Sequence, residues 1–202
     1  MIRAFLFDVG NVLLKFDFSV ALAKTAELCE VQHAAEVLLN IDRIKLGYED
    51  GQIDRAAFLR GVFDVLRYRG TEEQFVSAWE EIFEPNQPMI DLVEQLHGRF
   101  PLYLLSNTSD IHKDYFFRKY PVFARFDGGV YSHEARASKP GREIYEIAIR
   151  DLELDPATTF FTDDLLPNIE TARSLGFQAH HYHHDRHALF LEDLRAAGVQ
   201  FS

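Results

Sequence analysis

The chain has 202 residues, with 21 Lys+Arg against 32 Asp+Glu and a formal net charge of −11. Its 47% hydrophobic content excludes a disordered or fibrous chain, and its length lies between one domain and two. The acidity argues against nucleic-acid binding, which needs a basic footprint, and the single cysteine, Cys29, leaves no intramolecular disulfide.

Residues 2–7 form an apolar run that stops at Asp8, with Gly10 just beyond, and this reads as a buried strand entering a loop. The run is too short for a secretory signal, and no stretch approaches the roughly 20 apolar residues that span a bilayer. A cytoplasmic protein without a membrane partner is therefore expected. From about 17 to 84, apolar residues recur at helical spacing: Leu22, Ala26 and Leu28; Val37, Leu38 and Ile41; Ala57, Phe58, Val62, Phe63 and Leu66; Phe75, Trp79, Ile82 and Phe83. Asp54 can cap the segment 55–67, and Thr71 with Gln74 makes a capping box for the segment after Gly70. Phe75, Trp79 and Phe83 are expected in the core of this helical stretch, and Cys29 as a small buried hydrophobe on one of its helices.

Beyond Pro88 the pattern alternates. A helix over 89–97 precedes a strand at Leu102–Leu105 that ends in Ser106-Asn107-Thr108. A helix near 110–118, a short strand at 129–131 and a helix over 141–151 follow. The strand 159–162 ends in Asp163-Asp164, a helix over 167–175 meets Gly176, and a last strand covers 178–182. Short apolar strands alternating with helices predict an α/β, Rossmann-like parallel sheet flanked by helices, with residues 16–88 inserted after the first strand. His180, His181, His183 and His184 offer imidazoles to a metal, but strand alternation sends neighbours to opposite faces; His183, His184 and His187 are expected as exposed loop residues.

Function in open parallel sheets gathers at the carboxyl ends of the strands. Three predicted strand ends carry Asp8, Ser106-Asn107-Thr108 and Asp163-Asp164, and Lys139-Pro140 opens the helix between the last two. Carboxylates converging on one edge repel unless a cation is present, and Mg²⁺ prefers such oxygen ligands. One carboxylate can serve as a nucleophile, with a lysine and N–H or O–H donors balancing the charge on a transferring phosphoryl group.

This pattern resembles the haloacid dehalogenase (HAD) superfamily across nearly the whole chain. The resemblance rests on Phe7-Asp8-Val9-Gly10-Asn11-Val12-Leu13, Leu104-Leu105-Ser106-Asn107-Thr108, Ser138-Lys139-Pro140 and Phe161 through Asn168, in that order. The Gly10-Asn11-Val12 form and the small helical insert are similar to the branch that holds bacterial α-D-glucose-1-phosphate phosphatase and the N-terminal phosphatase domain of soluble epoxide hydrolases. The resemblance implies a core of residues 1–15 and 89–202 with a helical cap of residues 16–88. It implies Asp8 as the nucleophile, and Asp8, the Gly10 carbonyl and Asp164 as Mg²⁺ ligands, with Asp163 in or just behind the metal shell. Ser106 and the Asn107 backbone amide would bind phosphate, Lys139 would neutralise nucleophile and phosphate, and Asn168 would orient the fourth motif from behind. The implied activity is Mg²⁺-dependent hydrolysis of a small phosphorylated metabolite, a sugar phosphate such as glucose 1-phosphate, through an aspartyl phosphate. The implied assembly is a monomer or a dimer.

Most phosphatases of the superfamily carry a second Asp two residues after the nucleophile; here that position is Gly10. Its absence favours a leaving group that needs little protonation, such as an anomeric hydroxyl. Two rival readings are a 2-haloacid dehalogenase, in which Asp8 attacks carbon without Mg²⁺, and a weakly catalytic phosphate-binding or interaction protein. Residues 16–88 hold 7 Lys+Arg and 14 Asp+Glu, so most of the acidity lies on the insert. This predicts repulsion of polyanions and preference for small, singly phosphorylated substrates.

Overall fold

A computed structural model describes residues 1–30 and 34–201, with the backbone alone described for 34–40. Strand β1 (Ala4–Phe7) is wholly buried and leads through a loop to β2 (Leu14–Phe16). Four helices follow: α1 (Phe18–Thr25), α2 (Ala34–Glu49), α3 (Arg55–Leu66) and α4 (Glu72–Glu80). Asp54 caps α3 by accepting from the Ala57 N–H, and Thr71 with Gln74 forms the expected capping box of α4. Then come β3 (Phe83–Pro85), α5 (Gln87–Leu96), β4 (Leu102–Ser106), α6 (Asp110–Lys119), β5 (Gly128–Tyr131), α7 (Ser132–Ala135) and α8 (Arg142–Asp151). The chain closes with β6 (Thr159–Asp163), α9 (Leu166–Ser174), β7 (Gln178–His181) and α10 (His187–Ala196). Gly176 ends α9 with φ of 95°, a left-handed turn that a side chain would strain.

The main sheet has the order β5-β4-β1-β6-β7, and all its pairings are parallel. Alternation along β1 sends Phe5 and Phe7 into one apolar cluster and Ala4 and Leu6 into another. The first cluster is closed by Met89, Val93 and Leu96 of α5, Phe116 of α6, and Phe190 and Leu194 of α10. The second is closed by Ile144, Tyr145 and Ala148 of α8 and Ile169 and Ala172 of α9. Both faces of the sheet are thus covered, as an all-parallel sheet requires. A third cluster, with Phe58, Val62, Phe75 and Trp79 at its centre, holds α1–α4 together and takes in Ile111 from α6.

Three expectations need correction. Ile82 and Phe83 do not continue the helix: Glu81 ends α4, and Phe83 begins β3, which pairs antiparallel with β2. Phe83 is only partly buried, at the edge of the helical cluster. His187 is not a loop residue; it is half-buried, starts α10 and hydrogen-bonds the Tyr182 hydroxyl. Cys29 lies just past a short 3₁₀ turn and is only partly buried. The side chains of Val37 and Leu38 lie outside the described residues. Among the described residues no helix is long and apolar enough to cross a membrane.

Candidate active site

β4, β1 and β6 are neighbours, so their carboxyl ends deliver Ser106, Asp8 and Asp163 to one edge of the sheet. Asp8 follows β1 directly, its N–H donating to the Thr162 carbonyl at 2.9 Å. Lys139, on the loop before α8, lies between two carboxylates: its Nζ is 2.8 Å from Asp8 Oδ1 and donates to Asp163 Oδ2 at 2.6 Å. All three side chains are buried. An ammonium taken out of water is tolerable only when paired and fully hydrogen-bonded.

The electrostatics follow from burial. Burial pushes the Asp8 carboxyl up to about 7; Lys139 opposes the rise and Asp163 adds to it. Burial also works against the Lys139 charge, but Asp163 and Asp8 overcome it and hold the ammonium above its ordinary range. Asp164 is raised by burial, against the hydrogen bond it accepts from Asn11. Three acids around one lysine leave an excess of negative charge at this edge.

The loops are fixed by their own hydrogen bonds. The Asp163 Oδ1 atom accepts from the Leu165 N–H at 2.9 Å and from Asn168 Nδ2 at 2.8 Å, so with Lys139 both its oxygens are taken. The Asn168 carbonyl accepts from the buried Tyr145 hydroxyl. Asn107 clasps Lys139 through the backbone: Nδ2 donates to the Lys139 carbonyl and Oδ1 accepts from its N–H, each at 2.9 Å. Ser106 is buried at the end of β4.

Several residues escaped the sequence reading. Asn11 sits at φ of 54°, a conformation asparagine tolerates, and its Nδ2 donates to Asp164 Oδ2 at 2.9 Å. Its place after Gly10 was the available signal. Buried Asn86 ties the start of α5 to the first loop, donating to the Val12 carbonyl and the Tyr182 hydroxyl. No local pattern marks it.

A cavity of about 100 Å³ opens beside this edge. Gly10, Ser106, Asn107 and Thr108 line its sheet side, and Phe16, Phe18, Lys45 and Glu49 its helical side. Thr108 is buried and its Oγ1 has no partner. His112 lines the back; its Nε2 meets the Trp79 carbonyl at 3.1 Å, and burial drives the ring down to about 4, so it is neutral near pH 7. Of the histidine run, His183 and His184 bring ligand atoms close to Asp185 on the surface, away from this edge, while His181 contacts the Asp164 carbonyl.

The pattern of haloacid dehalogenase-like hydrolases matches residues 2–176. The chain is 26% identical to a D-ribitol-5-phosphate phosphatase of Bacteroides thetaiotaomicron, over 88% of this chain and 90% of that protein. A HAD family enzyme of the same organism, solved with magnesium and inorganic phosphate, superposes with a TM-score of 0.80 at 29% identity, covering 89% of this chain and 93% of that one. A HAD-like hydrolase from Porphyromonas gingivalis shares the fold over 99% of this chain and all of its own, with a TM-score of 0.84 at 24% identity. With the pattern running from β1 through α9 and taking in the whole carboxylate edge, the chain belongs to the haloacid dehalogenase-like hydrolases.

Proposed function

We propose that the protein is a cytoplasmic, Mg²⁺-dependent phosphatase of small sugar or polyol phosphates, with Asp8 as nucleophile. The observation that carries this reading is Lys139 buried between Asp8 and Asp163 at adjoining strand ends, 2.8 and 2.6 Å away. In this reading residues 1–15 and 89–202 are the catalytic core and 16–88 the cap. The boundary after residue 15 falls within β2, so the β2–β3 pair is the connection between the two.

The residues fit a magnesium ion. Asp8, Asp163 and Asp164 each offer a carboxylate oxygen within 4.8 Å of the others, an all-oxygen set with surplus negative charge. Asp8, Asp164 and the Gly10 carbonyl would hold the ion, while Asp163, with both oxygens engaged, stands just behind. When bound there, Mg²⁺ neutralises the carboxylates and the phosphate oxygens.

Asp8 Oδ attacks phosphorus in line with the leaving oxygen and forms an aspartyl phosphate. The Ser106 hydroxyl, the Asn107 backbone N–H and the Lys139 ammonium balance charge on the phosphoryl oxygens. Water then attacks phosphorus, releasing phosphate and restoring Asp8. The helical side closes over the cavity and keeps bulk water out.

Glucose 1-phosphate, with its anomeric leaving group, is the substrate that Gly10 favours. The substrate in the Bacteroides relative's name, ribitol 5-phosphate, is instead a primary-alcohol ester. The test is phosphate release from a panel holding both, with and without Mg²⁺, by the wild type and Asp8→Asn. Mg²⁺-dependent release that vanishes in Asp8→Asn supports the phosphatase. Chloride release from 2-haloacids without metal would put the dehalogenase in its place, and silence on the whole panel would leave a binding protein.

A further inference from the structure

The reaction above needs a proton for the leaving oxygen of an alcohol phosphate, and position 10 supplies none. The structure shows what stands there instead. A Cβ on Gly10 would lie 3.0 Å from Phe16 Cε1, so the Phe16 ring crowds that position and would have to give way to a side chain there. A side-chain proton donor for this step would stand on another wall of the cavity.

Among the described residues, the titratable side chains lining that cavity are Lys45, Glu49 and His112. His112 cannot serve, because it is neutral near pH 7 and its Nε2 faces the Trp79 carbonyl. Lys45 is a cation set over the Phe18 ring, 4.7 Å from its centroid, and 3.3 Å from Glu49. Glu49 is a carboxyl group in the same cavity as Gly10, Ser106 and Thr108.

We propose that Glu49 is the general acid, and then the general base, of this hydrolase, replacing the missing side chain at position 10. The inference rests on Asp8 being the nucleophile, as argued above. Its geometry is set by the way α2 ends. The Ser132 hydroxyl donates to the Glu49 carbonyl and accepts from the Thr108 N–H, so one side chain clamps the end of α2 to the end of β4. Ser138 donates to Asp50 next door. Gly51 follows at φ of 66°, where a Cβ would lie 2.3 Å from the His133 carbonyl oxygen; only glycine lets the chain pass so close. Glu49 is thereby held to the loop that carries Ser106 and Asn107, not to a free-swinging helix end. Burial raises the Glu49 carboxyl above its ordinary range against the pull of Lys45, with Asp50 and Asp42 adding to the rise. That favours the protonated form an acid needs.

The step balances. As Asp8 bonds to phosphorus, the P–O bond to the alcohol breaks and its electron pair takes the proton from Glu49. The resulting carboxylate is stabilised by the Lys45 ammonium. In the second step Glu49 takes a proton from the attacking water as phosphate leaves, and both groups are restored. This device opens the site to primary-alcohol phosphates as well as to anomeric ones.

The test compares kcat/KM of the wild type and Glu49→Gln, with Mg²⁺, on ribitol 5-phosphate and on 4-nitrophenyl phosphate, whose leaving group needs no proton. The expected loss is about 10²–10⁴-fold on the alkyl ester and at least about tenfold less on the aryl ester. Equal losses on both, or none on the alkyl ester, overturn the proposal. If Glu49→Gln does not fold, Glu49→Asp is read the same way, with the same leaving-group dependence expected at smaller size. Asp8→Asn separates the two claims. If it abolishes both reactions while Glu49→Gln shows no leaving-group dependence, only the Glu49 assignment fails. If the wild type turns over neither ester, or Asp8→Asn turns them over like the wild type, the nucleophile reading fails and takes this one with it.

Discussion

On the sheet side of the cavity, Lys139 is gripped by two carboxylates and by the Asn107 clasp, and Asp163 has every oxygen engaged. On the helical side, Lys45 has one ion pair along its own helix and one aromatic face. The first wall is a network in which each member fixes the next; the second is joined to it at the end of α2 through Ser132 and otherwise rests on a separate apolar cluster. A phosphoryl group is the same in every ester and suits a rigid wall, whereas the alcohol varies and is met by the apolar side chains of the other wall.

The contrast can be broken from its strong side first. Lys139→Met leaves Asp8 and Asp163 buried without a cation. Turnover is expected to fall by on the order of 10³-fold, and the metal-free protein to lose about 3–5 kcal/mol in denaturant unfolding. Mg²⁺ removal is next. Chelation should stop turnover, and Mg²⁺ should raise Tm in a dose-dependent way, because the ion binds only the folded carboxylate set. Asp164→Asn should remove most of that rise without Mg²⁺-independent loss of Tm.

Asp8, Ser106, Lys139 and Asp163 were legible because each stands at a strand end or helix start within a short local motif. The parallel sheet was legible for the same reason: its strands are apolar runs between turn residues. Lys45 and Glu49 form an i,i+4 pair, which in sequence is indistinguishable from the solvated face of a helix. Only the clamp through Ser132 turns it toward the site. β2 and β3 span three residues each, too few for a period to show, and they pair across the whole helical stretch. Phe83 happened to continue the helical spacing and so was read into α4.

His112 lies at the seam between the two walls, on α6 and against the Trp79 carbonyl. The folded protein protonates it at about 4, the unfolded chain at about 6.5. The unfolded state therefore binds the proton first on acidification. This contribution to stability is complete above pH 6.5 and is lost as pH falls toward 4, by up to about 3 kcal/mol. His112→Phe should flatten that part of the stability–pH curve relative to wild type. The smallest effect belongs to the apolar side chains of the helical wall. Phe16→Ala should change KM among alcohol esters by a few-fold, a change of under about 1 kcal/mol, with kcat nearly kept.

Passage of the phosphoryl group through Asp8 is the step on which the proposed function depends. It is tested most directly by acid-quenching the wild type during turnover with Mg²⁺ and weighing its peptides. The peptide holding Asp8 is expected to carry one phosphoryl group, and the same peptide of Asp8→Asn none. Turnover with no such adduct at any time, or with the adduct on another residue, would contradict it.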